Sequence, residues 1–302
     1  MPTSETRRAA TLAKIRFLRH VSPPEDARRR GGRMPRQQQP DALRLGYYRA
    51  LEPIVRRSIS PILRAGPEIL RLLMDERQEQ AHRRATEAAI ERARGDAGAR
   101  GARAKAIVRV ALDKSRSLID VEGVADSARK FADRTSDFNR EQLGAQVQQA
   151  LGVPYLSIEK STRDVVPPFV TENVALVRTL PDRCHDRLAS LVEDAFSSGM
   201  RPETLADRIA ELEDISDSDA MRIARDQIGK LNGEFNMLRQ TDLGVERYVW
   251  RTMNDNRVRD EHQDREGETF AWDDPPEGGH PGEDIQCRCY AEPDFSGIVA
   301  DL

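Results

Sequence analysis

The sequence predicts a mainly α protein with a small α+β domain at its C-terminus: the N-terminal two thirds are helical, and a short antiparallel sheet lies near the end. Three observations lead there. Charged residues make up 33% of the chain and aromatics only 5%, in a background rich in Ala, Arg, Glu and Leu that suits helices better than a β-sandwich. Apolar residues recur at helical spacing along most of the chain from Leu43 to Leu238. The period switches to two only after Gly244. At 302 residues, 38% of them apolar, the chain can build the core of one large domain or two modest ones.

Residues 1–40 read as a basic arm with a net charge of +7. Arg28, Arg29, Arg30, Arg33 and Arg36 stand among Pro23, Pro24, Gly31, Gly32 and Gln37 to Gln39, a composition that buries too little apolar surface to offset its ordering entropy. Those five arginines are candidates for contact with nucleic-acid phosphates or an acidic protein surface, and the equal alternative is a solvated tail with no partner. Within the arm, Leu12 to Leu18 suggests an amphipathic turn of helix. Removing residues 1–40 is expected to leave folding intact.

Residues 41–152 form a helical region. Glu76 to Arg94, polar apart from alanines and Ile90, predicts an exposed or coiled helix. Gly95, Gly98 and Gly101 predict a break after it, since each costs about 1 kcal/mol relative to Ala in a helix interior. Helical faces then resume from Ala102 to Ile119 and continue through Phe131, Phe138 and Leu143 to Gly152. Residues 153–168, with Pro154, Pro167 and Pro168, predict a linker.

Residues 169–302 form the C-terminal domain. A stripe of Leu188, Leu191, Val192, Ala195 and Phe196 predicts a helix stopping at Gly199, and Pro202 and Glu203 open a short one through Leu205, Ile209 and Leu212. After the acidic run Glu211 to Asp219, the series Ala224, Ile228, Leu231, Phe235 and Leu238 predicts a separate helix capped by Ser216, Asp217 or Ser218. A small β lobe follows over 245–293. Its first strand alternates Val245, Arg247, Val249 and Arg251 with Glu246, Tyr248, Trp250 and Thr252; Glu268 to Trp272 and Ile285 to Ala291 offer the second and third. The charge is divided as well, +13 over residues 1–110 against −16 over 111–302.

The informative residues crowd into that lobe: Trp250, Asp255, Arg257, Arg259, His262, Gly267, His280, Pro281, Cys287, Arg288 and Cys289. In this order they resemble the C-terminal domain of the phage Mu F-like head morphogenesis family, which pairs an aromatic strand and a Thr-x-x-Asp-x-Arg-Val-Arg-x-x-His block with a terminal His-Pro and Cys-Arg-Cys block. The helix from Ala224-Arg-Asp-Gln227 to Lys230-Leu-Asn232 resembles the family's lead-in, so the likeness covers about residues 215–295. The resemblance implies a minor capsid protein of a tailed phage or prophage, located in the capsid interior or at the portal vertex and in the host cytoplasm during assembly. It also implies action with the portal protein and with major capsid or scaffold proteins in head assembly and in DNA packaging or ejection. Phage DNA is then a partner for the basic arm.

His262, His280, Cys287 and Cys289 are four soft or borderline donors, and zinc is held tetrahedrally by such a set. A structural zinc would stabilise a lobe poor in apolar residues between 253 and 284. The opposing reading is plain core: on a strand, Ile285, Cys287, Cys289 and Ala291 share one face with well-separated Cβ atoms, and free Cys packs as a small apolar residue. Some members of the resembled family carry Cys-x-x-Cys where Arg259 and His262 stand here, and Arg259 cannot replace a thiolate.

Arg257 and Arg259 beside Asp255, Asp260 and Glu261 read as a salt-bridged turn ahead of an acid–base site. Asp273, Asp274, Glu277, Glu283 and Asp284 make the outer loop acidic and unsuited to a phosphate backbone. No enzyme is expected. The alternative is a zinc-dependent nuclease or hydrolase using His262, His280, Cys287 and Cys289, with Asp264 or Glu266 positioning water. The cysteine count suits a reducing compartment, there is no apolar run of about 18 residues, and no signal-peptide core is present, so no membrane partner is expected.

Overall fold

The computed structural model describes residues 4–21, 34–82, 87–156, 160–198 and 200–301. Its helices are α1 (Ser4–Val21), α2 (Asp41–Arg64), α3 (Gly66–His82), α4 (Glu87–Ser117), α5 (Val121–Leu151), α6 (Lys160–Arg163), α7 (Val166–Arg178), α8 (Leu180–Ser198) and α9 (Pro202–Asp242). Then come β1 (Arg247–Thr252), α10 (Asp260–Asp264), β2 (Thr269–Ala271), β3 (Cys289–Pro293) and α11 (Ser296–Ala300). The protein is mainly α with one small antiparallel sheet of order β2-β1-β3. Among the described residues no helix is long and apolar enough to cross a membrane.

Two compact units divide the chain: residues 1–47, 128–171 and 224–302 in the first, and 48–127 and 172–223 in the second. Among its described residues the second is built of helices and the turns between them, with α4 lying along α8. Gly95, Gly98 and Gly101 do not break α4. Gly101 would bring a Cβ to 3.9 Å from Phe196, so a small residue sits where α4 meets α8, and the burial of Ala104, Val108 and Leu112 offsets the propensity cost.

Residues 202–242 likewise form one helix where two were expected, because no proline or glycine lies between Glu203 and Ile228 to stop it. The proposed caps serve otherwise. Ser216 Oγ donates back to the Leu212 carbonyl at 2.9 Å, Asp217 accepts from Arg56 at 2.5 Å, and Asp219 pairs with Arg187 and Arg222. The acidic run is therefore a set of ion pairs within the second unit.

The first unit contains the sheet. Its N-terminal stretch departs from the expected arm: α1 places Ile15 in a core with Leu143, Val147 and Leu151 of α5 and with Val245, Phe295 and Ile298. The apolar pattern of Leu12 to Leu18 extends over a full helix because α5 and α11 supply the surface that an isolated helix lacks. Arg8 Nη2 donates to the Gly297 carbonyl at 2.6 Å, and Arg16 Nη2 to that of Asp301 at 2.6 Å. Residues 22–33, with Arg28, Arg29, Arg30 and Arg33, lie outside the described residues; Arg36 is exposed. In the expected linker, Pro167 and Pro168 occupy the first turn of α7, where a missing N–H costs nothing.

The third strand begins at Cys289, later than the alternation from Ile285 suggested. β3 is an edge strand, yet all five of its residues are buried. Trp250 exchanges its N–H and carbonyl bonds with Glu268 and Gly267, on the β2 side, so its cross-strand partner Ala291 turns its own polar groups outward. Helix α9 meets the carbonyl. Asn236 Nδ2 and Gln240 Nε2 both donate to the Ala291 carbonyl, at 2.8 and 2.9 Å. Gln37 Nε2 donates in turn to Asn236 Oδ1 at 3.1 Å and to Gln146 Oε1 at 3.2 Å, extending one buried amide layer into α5.

Because this layer is buried, breaking it strands polar atoms without water. Asn236→Leu, of similar volume, is expected to cost about 2 kcal/mol, read as a lowered midpoint in chemical denaturation; an unchanged midpoint would count against the layer as a structural element.

Candidate functional site

The face of β1 that carries Tyr248, Trp250 and Thr252 is buried, as its alternation required. Tyr248 and Trp250 pack with Cys287, Cys289 and Ala291, and Val258, Phe270 and Trp272 close the rim. Two turns then complete the lobe, one leading into α10 and the other running from His280 into β3.

Charge holds these turns together. Arg259 reaches from the first turn to the second, with Nη1 2.8 Å from Asp284 Oδ2 and Nη2 donating to the Ile285 carbonyl at 2.7 Å. Arg288 reaches back to Asp255 at 2.5 Å, and Asp255 also accepts the Arg257 backbone N–H at 3.1 Å. Burial alone would push the Asp255 carboxyl up; the Arg288 and Arg257 hydrogen bonds outweigh it and hold the group below its ordinary value. Only Arg257 and Asp255 pair inside the turn that the sequence suggested; Arg259 and Asp255 take Asp284 and Arg288 of the second turn, so the expected local salt bridging is met in part.

Helix α9 supports the second turn from behind. Asp226 Oδ1 accepts the Gln286 N–H at 2.8 Å, where Gln286 takes a left-handed φ of 52°. Gly282, at φ 101°, lies backbone to backbone against Gly233: a Cβ on Gly282 would come within 3.1 Å of the Gly233 Cα, and one on Gly233 within 2.9 Å of the Pro281 carbonyl. Two glycines are needed at this crossing.

The four donors proposed as metal ligands do not all meet. His262, Cys287 and Cys289 do, offering one ligand atom each within 4.8 Å of one another, and all three are buried. Nδ1 of His262 is 3.6 Å from Cys287 Sγ and 3.5 Å from Cys289 Sγ. Its other nitrogen, Nε2, lies 3.7 Å from Asp284 Oδ2. His280 is elsewhere: its Nδ1 is 2.9 Å from Tyr248 Oη, and its ring lies 4.9 Å from that of Trp272. Burial lowers the His280 pKa, which favours the neutral ring that Tyr248 meets.

Cys287 is not on the strand at all. It sits in the turn before β3, and this removes the objection that residues two apart on a strand hold their side chains too far apart. The Cys289 backbone N–H donates to Cys287 Sγ at 3.4 Å. The hydrogen bond from the Cys289 thiol, opposed by burial and helped by backbone N–H groups, pushes Cys287 down to about 6, while the same bond together with burial pushes Cys289 up. The contact between the two thiols thus favours loss of the Cys287 proton ahead of that of Cys289. The third cysteine, Cys184, is buried in the second unit, and burial raises its pKa.

Glu266 and Asp264, the alternatives proposed to position water, are engaged differently. Glu266 Oε2 accepts the Thr252 N–H at 2.5 Å and Oε1 lies 3.4 Å from Arg251, whereas Asp264 is exposed on α10. Nothing in the sequence singles out Asp226 or Asp284 for the positions they hold. The spacing that brings Asp226 to the turn depends on the path of the 280–286 loop over α9, which no local pattern encodes.

Residues 186–292 match the family model described as Phage Mu protein F like protein, from within α8 to within β3. The chain is also 29% identical over 196 residues to an uncharacterized protein of Haemophilus influenzae, an alignment covering 63% of this chain and 43% of that relative. The chain thus spans less than half the length of this curated relative. No solved structure matches.

Two outcomes follow from the geometry. Gly282→Ala should force the 280–282 loop off α9 and lower the thermal midpoint, whereas alanine at the exposed Gly278, where a Cβ meets nothing within 4 Å, should cost only the strain of its positive φ. Asp255 has a lowered folded pKa, so its contribution to stability is present above about pH 4 and is lost as pH falls through the folded value. The stability gap between wild type and Asp255→Asn should accordingly narrow in acid; a gap that widens would contradict the assigned pairing.

Proposed function

Starting from the phage Mu F-like domain that this chain carries over residues 186–292, we propose that it is a phage or prophage head morphogenesis protein, a minor capsid component with no catalytic turnover. The family match carries the reading. In support, the motif blocks that define the likeness come together in one lobe, where Asp255, Arg259, Asp284 and Arg288 bind them by side chain to each other and not to a reaction centre. Such a lobe is a rigid docking module for other head components, with the portal, major capsid or scaffold proteins as partners, at the capsid interior or portal vertex.

A zinc hydrolase is less well supported. His280 is held by Tyr248, Glu266 is bound to the Thr252 N–H, and the three donors that do cluster are buried away from any substrate.

The basic segment containing Arg28, Arg29, Arg30 and Arg33 is the part proposed to meet packaged DNA, opposite in charge to the acidic loop of Asp273, Asp274, Glu277 and Glu283. Because α1 and Gln37 contribute to the core, removing residues 1–40 would destabilise the fold, and charge neutralisation is the cleaner test.

Two measurements check the proposal. The protein should co-purify with assembled heads, and its absence from particles would overturn the assignment. Replacing Arg28, Arg29, Arg30 and Arg33 together with Gln should flatten the salt dependence of DNA binding by about 0.9 in the log–log slope for each phosphate that is no longer neutralised, while thermal stability is kept; an unchanged slope would exclude DNA as a partner of this segment.

A further inference from the structure

The His262, Cys287 and Cys289 cluster carries an inference independent of the head-assembly reading. In a tetrahedral zinc site with Zn–S of about 2.3 Å and Zn–N of about 2.0 Å, a sulfur and a nitrogen ligand stand about 3.6 Å apart. Nδ1 of His262 is 3.6 Å from one sulfur and 3.5 Å from the other. Two edges of a zinc tetrahedron are thus in place before any ion is added, and the two sulfurs lie within 4.8 Å of each other.

The surroundings favour coordination over plain packing. The three side chains are buried, and no disulfide consumes the thiols. The Cys289 backbone N–H directed at the Cys287 sulfur is the kind of contact that a thiolate ligand accepts. With Nδ1 committed to the cluster, the ring proton resides on Nε2, which faces the Asp284 carboxylate at 3.7 Å. A carboxylate behind the second ring nitrogen is the usual way of fixing the tautomer and orientation of a ligating histidine. Arg259 fixes that carboxylate, and Asp226 fixes the turn from which Cys287 projects, so the donors are held in place by contacts that need no ion.

We propose that Nδ1 of His262 and the sulfurs of Cys287 and Cys289 hold one zinc ion, with Asp284 orienting the histidine and water completing the tetrahedron. The ion ties α10 to the turn and strand that carry the two cysteines. His280 is not a ligand.

The test uses the full chain, purified without chelator. Elemental analysis should find about one zinc per chain. Cobalt(II) taken up in its place should show a thiolate-to-cobalt charge-transfer band. Cys287→Ser and Cys289→Ser should each lose the band, whereas His280→Ala and Cys184→Ser keep it. Asp284→Asn should weaken zinc binding by about 10- to 100-fold without abolishing it.

Since a cysteine variant could fail by misfolding, the wild-type protein supplies its own control: chelator should lower its melting temperature and added zinc restore it. A wild-type chain that holds no zinc, shows no cobalt band and melts identically with and without chelator has only S–H···N contacts at this cluster, and the proposal is then wrong. Zinc retained by the double Cys287→Ser, Cys289→Ser variant overturns it equally.

Discussion

The carbonyl of Ala291 faces away from its own sheet, and that orientation dictates where α9 must lie. A three-stranded sheet with strands of three to six residues has little stability of its own. Its outer strand would expose an unpaired backbone row, and burying that row without partners would be costly. Asn236 and Gln240, one helical turn apart on α9, satisfy the Ala291 carbonyl. Once α9 is fixed there, Gly233 meets Gly282 and Asp226 meets Gln286, so the cysteine-bearing turn is positioned by the same helix.

Much of this is legible in the residues. The alternation from Val245 to Thr252 marks the strand and the two sets of residues that share a face, because a strand places its side chains with a period of two. The charges of Arg257, Arg259 and Asp255 suggest an ion-paired turn, but only Arg257 and Asp255 meet within it; Arg259 and Asp255 find their shorter partners, Asp284 and Arg288, in the second turn. The start of the chain is harder to read: Leu12, Ile15 and their neighbours form a weak apolar pattern that becomes a helix only against α5 and α11, elements more than a hundred residues away. Helix continuity at Gly101 is hidden for the same reason, whereas continuity through Ser216 is open to reading, since no proline or glycine interrupts that stretch. Local propensity marks what is costly, and tertiary burial decides whether that cost is met.

The donor cluster shows both sides. Residue type alone selects His262, Cys287 and Cys289, yet cannot separate them from His280, which shares the same chemistry. What separates them is the path of the loop: His280 enters beside Tyr248 and Trp272 on one side of β1's buried face, while His262 arrives on α10 beside Trp250, its ring centroid 5.3 Å from that of the indole. Neither position is encoded by spacing. Placing Cys287 on a strand is the weakest step in a reading from sequence, because a left-handed residue at Gln286 ends the extended pattern just before it.

The amide layer over β3 also limits how another polypeptide can engage this lobe. The outward carbonyl of Ala291 is already taken by α9, so that margin cannot recruit an extra strand from a neighbour. β2, the opposite margin, is three residues long and presents too short a ladder to hold one firmly. A polypeptide that docked here would have to be met by side chains displayed on the turns, and the lobe is protected from zipping edge to edge with another copy.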